Sequence, residues 1–331
     1  MCDPGIDRLK PRAFALIACL FMSAAAFAQE NLTRAPPQLT LQAPTGLLGD
    51  ACRKIETMET RVPVALHRTF HDDFDTHPLS GDRWVPHYAG GAAWPEARYW
   101  GGDGSDFKRK TSWNGEQQIY VDPRYAGRAT IPLGLDPFRI RDGILSIVAS
   151  RTPPSLKTVL FDNEYVSGIL TTQGTFTQKY GYFEIRSKIP VGTGVWPAFW
   201  MLADDGGWPP EIDVMEGRGQ RPGDLVMTTH WRIPATGRVE RCGFDFDLPD
   251  SATEFHNYGV LWLRDRIIYY IDRQPMSEIK VPVGFHDPMY MIVNLAMGAK
   301  NFEGVGFVDG ESPNVVEFEI DRVSAYQIDA Y

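Results

Sequence analysis

The sequence predicts an all-β domain, a sandwich or barrel, on three observations. From about Arg68 onward, short β-prone segments recur between Gly, Pro, Asp and Asn breaks. No segment sustains a 3.6-residue apolar period over helical length, so little helix is expected. Over residues 182–189, Tyr182, Glu184, Arg186 and Lys188 alternate with Phe183, Ile185, Ser187 and Ile189. This is the two-residue period of a strand that packs one face and offers the other to solvent or ligand.

Taken in order, residues 1–28 read as a signal peptide. Arg8, Lys10 and Arg12 precede an apolar run that ends in Ala26-Phe27-Ala28 before Gln29. Cleavage after Ala28 and a secreted or periplasmic location are expected. The run is too short to span a bilayer and no later stretch is longer, so no membrane span is expected. Leu16-Ile17-Ala18-Cys19 resembles a lipobox, leaving lipidation at Cys19 as the alternative, although the residues after Cys19 stay apolar. Residues 29–66, rich in Pro, Thr, Gln and Leu without a steady period, read as an extension or linker. Residues 67–331 form the domain, with its clearest strands at 144–150, 166–172, 182–189, 199–203, 225–231, 258–263, 267–271, 290–295 and 315–328. Residues 90–113 carry Trp94, Tyr99, Trp100 and Trp113 among glycines, as a cleft-lining loop would.

Hydrophobic residues make up 43% of the 331, enough for a sizeable core without metal or disulfide staples. The net charge of −9 argues against a nucleic-acid partner, which needs a basic footprint. A neutral polymer is favoured, because a strongly anionic one would require a local basic patch that the linear sequence does not place. The domain is expected to act as a monomer. After Ala28 only Cys52 and Cys242 remain. They form one bridge in an oxidising compartment, or stay as two buried thiols.

The chemistry concentrates in residues 194–218, where Glu211, Asp213 and Glu216 fall within six positions. A regular strand would place Glu211 and Asp213 on one face and Glu216 on the other. A one-residue bulge near Val214-Met215 returns Glu216 to the face of the other two. Three acids on one face repel one another and hold a proton near neutral pH, as a general acid requires. A retaining glycosidase sets its nucleophile and acid/base carboxyls about 5–5.5 Å apart, within reach of two long side chains leaning across Asp213. Asp213 would share a proton with the nucleophile. The bland alternative is a solvated acidic face. Trp196, Trp200 and Trp208 lie just upstream and suit a sugar cleft, since pyranose faces stack on indoles. Core packing is the alternative for them and the natural reading of Phe199.

The stretch from Trp196-Pro-Ala-Phe-Trp-Met-Leu202 to the E-x-D-x-x-E pattern of Glu211 to Glu216 resembles glycoside hydrolase family 16 in its bulged form. So do Asn114-Gly-Glu-Gln-Gln-Ile-Tyr120, Tyr180-Gly-Tyr-Phe-Glu-Ile-Arg186, Thr229-His230-Trp231, Phe255-His-Asn-Tyr-Gly-Val-Leu-Trp262, Ile292-Val-Asn-Leu-Ala296 and Glu319-Ile-Asp-Arg-Val-Ser-Ala-Tyr-Gln327, in the same order. The resemblance covers roughly residues 68–328. It implies a β-jelly-roll sandwich of two curved antiparallel sheets with substrate lying across the concave face. It further implies retaining hydrolysis with Glu211 as nucleophile and Glu216 as acid/base, and no cofactor required for catalysis. Carried over by position, Trp196, Trp200, His230, Asn114 and Glu116 are implied cleft residues. Arg186 is implied too, with a structural ion pair as its alternative. Many members hold a structural calcium near a late-strand aspartate, a place that Asp321 matches. The implied partner is a polysaccharide: a β-1,3, mixed-linkage β-1,3-1,4 or bacterial exopolysaccharide glucan cut internally. A galactan hydrolase of the agarase or carrageenase kind, a transglycosylase, or a non-catalytic carbohydrate-binding jelly roll are the alternatives. Residues 90–113 and 238–250 depart from the pattern, as does Arg273, where Gly is common in the turn.

Overall fold

The computed structural model describes residues 39–44, 52–56, 60–88, 109, 114–205, 207–300 and 302–328. The signal peptide expected over 1–28, Cys19 included, and the aromatic loop at 90–113 apart from Arg109 lie outside the described residues. Two sheets build the domain. The smaller has six strands in the order Val239–Asp247, Asp224–Arg232, Glu211–Gly217, Val195–Ala203, Met289–Met297 and Ile169–Thr171, each antiparallel to its neighbour.

The larger sheet has twelve strands and runs from Cys52–Lys54 through Gln274–Lys280, Arg266–Ile271, His256–Trp262, Gly181–Ser187 and Val315–Ile328 to Ile144–Arg151, Tyr165–Ser167 and Gln118–Tyr120. Its one departure from antiparallel order, among the described residues, is the parallel pairing of Gln118–Tyr120 with Tyr165–Ser167. Helix is confined, among the described residues, to short 3₁₀ turns such as Pro78–Ser80 and Pro154–Leu156.

Alternation explains how the layers meet. Phe183, Ile185, Val260, Trp262, Ile267 and Tyr269 leave the larger sheet toward Phe199, Met201, Ile212, Val214, Leu225 and Val293 of the smaller one, and together they form the main core. Burying side chains of this size contributes about 1.5–3 kcal/mol each before the entropy of ordering is set against it. The result is the β-jelly-roll sandwich. The predicted strand at 166–172 divides into Tyr165–Ser167 and Ile169–Thr171 and passes from one sheet to the other. A side chain at Gly168, the break between them, would meet Phe138 at 2.8 Å and Ile147 at 2.9 Å.

The segment read as an extension or linker contributes to the domain instead. Leu39–Pro44 pairs with Arg61–Asp72, which joins Val315–Ile328. Leu41, Ala43, Val64 and Leu66 pack with Tyr182, Leu261, Ile268 and Tyr270 on the outer face of the larger sheet. Apolar residues two apart on both strands make this a covering layer, so the domain begins well before residue 67. The same layer buries Tyr182, the first residue of the face expected to be open. Cys52 and Cys242 are bridged, with their Cα atoms 6.3 Å apart. Beside them, Arg53 and Arg266 clamp Glu278, whose side chain is fully buried.

Candidate active site

The Glu211–Gly217 strand carries the bulge that its acid spacing demands. Against Asp224–Arg232, Glu211 faces His230 and Asp213 faces Thr228, after which the register shifts so that Glu216 faces Val226. Against Val195–Ala203, Trp200 faces Asp213 and Phe199 faces Met215, with Val214 as the extra residue. Ile212, Val214 and Met215 all enter the core. Glu211, Asp213 and Glu216 therefore line one cleft on the opposite face of the smaller sheet, with Trp196, Trp200, Trp208 and His230 beside them.

Each glutamate holds one indole N–H. Trp208 Nε1 donates to Glu211 Oε2 at 2.9 Å and Trp196 Nε1 donates to Glu216 Oε1 at 3.0 Å. One oxygen of each carboxyl is thereby held by an indole donor. His230 Nε2 lies 3.2 Å from Asp213 Oδ2 and 3.7 Å from Glu211 Oε1. Among the described residues Glu211, Asp213 and His230 are compact enough to ligate one ion, their ligand atoms lying within 4.8 Å of one another. Hydrolysis by a carboxyl pair requires none.

Burial is the main influence on all three acids and raises each, Glu211 and Asp213 well above the usual carboxylate range. Repulsion adds to it: Asp213 acts on Glu211, and Glu216 acts on Asp213. His230 and the Trp208 N–H oppose the rise at Glu211; His230, the Trp196 N–H, Arg218 and Arg241 oppose it at Glu216. Such a cluster keeps a proton where three isolated carboxyls would be fully ionised.

The far wall is polar and ordered. Trp200 Nε1 donates to Asn294 Oδ1 at 2.7 Å, and Asn294 Nδ2 donates to the Tyr120 hydroxyl at 2.9 Å. Glu116 accepts from Gln118 Nε2 at 2.5 Å and from Asn114 Nδ2 at 3.5 Å. Asn114 and Glu116 both reach the cleft. Phe302 closes one end against Trp196, their ring centroids 4.9 Å apart, and Tyr88 meets Trp200 at 6.2 Å.

The family model of Glycosyl hydrolases family 16 matches residues 146–304. The glucan endo-1,3-beta-glucosidase of Cryptopygus antarcticus is 31% identical over 233 residues, covering 64% of this chain and 82% of that protein.

The chain belongs to glycosyl hydrolase family 16.

Endo-1,3-1,4-beta-glycanase ExsH of Rhizobium meliloti (strain 1021) is 37% identical to this family 16 chain over 266 residues, 80% of this chain and 52% of ExsH. The chain thus spans about half the length of that curated relative. Among solved structures, the laminarinase catalytic domain of Thermotoga maritima MSB8 matches with a TM-score of 0.63 at 25% identity, covering 80% of this chain and 99% of that one.

Two expected site residues lie elsewhere in this family 16 domain. Arg186 is on the larger sheet, 3.1 Å from Asp321 Oδ2 and over the Phe255 ring, so its place is the ion pair and not the cleft. Asp321 also accepts from Arg322 Nη1 at 2.5 Å. Two guanidinium groups on one carboxylate leave it a poor calcium ligand, because they supply the positive charge that the ion would bring. The reading at Asp321 is therefore corrected to a structural acid. Tyr88, Arg241, Asn294 and Phe302 line the cleft without having been singled out as site residues. Trp208, an aromatic three residues before Glu211 in sequence, makes a direct contact with it.

Proposed function

We propose that the domain hydrolyses an internal β-linkage of a β-1,3 or mixed-linkage β-1,3-1,4 glucan with retention of anomeric configuration. The observation that carries this reading is the pair of glutamates on one face, each with one oxygen held by an indole N–H. Glu211 attacks the anomeric carbon through its other oxygen, forming a glycosyl ester as the glycosidic C–O bond breaks. Glu216 gives its proton to the departing oxygen. Glu216 then takes a proton from water, which attacks the ester and restores Glu211. Asp213, between them and next to His230, shares hydrogen bonding with Glu211 and moderates charge on the nucleophile. Trp196, Trp200 and Trp208 offer stacking faces for the sugar rings. The names of the relatives, an endo-1,3-1,4-beta-glycanase and a glucan endo-1,3-beta-glucosidase, support internal cleavage of such glucans.

The protein acts outside the cytoplasm as a monomer, released by cleavage after Ala28. The Cys52–Cys242 bridge supports this location, because disulfides persist in oxidising compartments. No described helix is long and apolar enough to cross a membrane.

The test is a panel of laminarin, lichenan and agarose with product sizing. Short oligosaccharides released from laminarin or lichenan, and lost in Glu211→Gln, are the expected result. Activity confined to agarose would move the substrate to galactans, and full activity in Glu211→Gln would remove the nucleophile assignment.

A further inference from the structure

On a chain of net charge −9, one wall of the cleft carries a guanidinium, that of Arg241, which no described carboxylate holds in an ion pair. Val239–Asp247 is the edge strand of the smaller sheet, and its register sets Arg241 opposite His230, which in turn faces Glu211. Side chains of directly opposed residues share a face. Arg241 therefore stands in the same row as the nucleophile, two strands away, or about 10 Å. Its neighbour Cys242 points into the core and is tied to Cys52, which fixes the alternation that turns Arg241 to the cleft.

The two acids of that edge strand nearest Arg241 are already engaged. Glu240 pairs with Arg238, and Asp245 pairs with Arg218 at 2.7 Å. Arg241 is exposed and, among the described residues, takes part in no ion pair. Arg232, on the same face two residues beyond His230, donates to the Trp208 and Gly237 carbonyls at 2.7 and 2.9 Å. Those bonds orient the guanidinium without cancelling its charge. A planar guanidinium presented at an open edge, with a second uncancelled one nearby, is suited to a carboxylate.

We propose that Arg241, supported by Arg232, is a specificity determinant that binds a carboxylate substituent on the glucan, within a sugar ring or two of the bond that is cut. The site selects acid-bearing chains over plain ones although the chain as a whole is acidic. This rests on the hydrolase reading above, and the test separates the two.

Carboxymethylated and unmodified lichenan of matched length are compared as substrates of the wild type, Arg241→Gln and Arg139→Gln. Arg139 is a charge control on the larger sheet, paired with Glu317 far in sequence and outside the cleft lining. Arg241 also acts on Glu216, so its loss alters turnover of both polymers. The ratio of the two kcat/KM values removes that shared effect. The expected result is a wild-type ratio favouring the carboxymethylated polymer, lowered about ten-fold by Arg241→Gln and unchanged by Arg139→Gln. An unchanged ratio in Arg241→Gln overturns the proposal and leaves Arg241 as a cation that only tunes Glu216. If neither polymer is cut, the hydrolase reading fails by itself. Affinity electrophoresis in gels containing each polymer then decides the site: retardation by the carboxymethylated polymer that Arg241→Gln abolishes supports it, and equal migration of the two proteins overturns it.

Discussion

Trp196 donates its indole N–H to Glu216 Oε1 at 3.0 Å from the neighbouring strand, whose Ala198 is the register partner of Glu216. The bulge makes this contact available, because without it Glu216 would turn into the core. The cleft thus couples a stacking surface to the protonation state of the acid beneath it.

Trp196→Phe keeps an aromatic face and removes the donor. An N–H aimed at a carboxylate favours the ionised form and lowers its pKa, so its loss raises that of Glu216. Glu216 must be protonated to act as the acid. The alkaline limb of the kcat/KM profile should accordingly move up by about one pH unit. A limb that stays in place or moves down would separate Trp196 from the acid.

Burial and Asp213 raise the Glu211 carboxyl above its usual 4.5. Between the unfolded and folded pKa values the native state holds a proton that the unfolded chain releases. Stability therefore falls as pH rises through that window. Glu211→Gln removes the charge at nearly constant shape. Its Tm at neutral pH should exceed that of the wild type by roughly 2 °C or more, and the gap should close as the pH approaches the usual carboxyl value. Thermal unfolding across pH checks the sign, and a gap widest in acid contradicts it.

Asp272 and Arg273 both adopt left-handed backbone, with φ of 47° and 61°. Arg273 stands where glycine would fit without strain, and it donates two bonds of 2.9 Å to Glu184, whose side chain is 1% exposed. Arg273→Ala leaves that carboxylate with the Tyr182 hydroxyl and with Arg322 at 3.9 Å. It should cost roughly 3 kcal/mol. Arg273→Gly loses the same pair but relieves the backbone, and should be less destabilised by about 1 kcal/mol. Urea unfolding of the two variants measures the difference, and equal stabilities would show that the turn is unstrained.

The active strand was legible because its chemistry fixes its geometry: three acids spaced as Glu211, Asp213 and Glu216 share a face only across a bulge. The core strands were legible from apolar alternation, as in Phe183 and Ile185. The edge strand Val239–Asp247 was passed over although Cys242 and Phe244 alternate inward. Charged and glycine residues between them mask its β character, and its partner is defined only in three dimensions. Arg186 misled for a related reason. Alternation establishes that it leaves the sheet opposite Ile185, but it does not say which side of the sandwich holds the cleft. The N-terminal strands were missed because their few apolar residues gain a partner only from Tyr182, Leu261 and Tyr270, far along the chain. The bridge between Cys52 and Cys242, 190 residues apart, likewise follows from sheet edges that sequence order does not reveal.

In the proposed mechanism Glu211 becomes covalently bonded to the sugar while Glu216 carries the proton. Incubation with an activated 2-deoxy-2-fluoro β-laminaribioside, followed by proteolysis and mass spectrometry, reads this directly, since the fluorine slows breakdown of the ester more than its formation. One fluoroglycosyl adduct on the peptide that contains Glu211, fragmenting at Glu211 itself, is the predicted result. An adduct on Glu216, or turnover of the reagent to an inverted product with no adduct formed, would rule out Glu211 as the nucleophile.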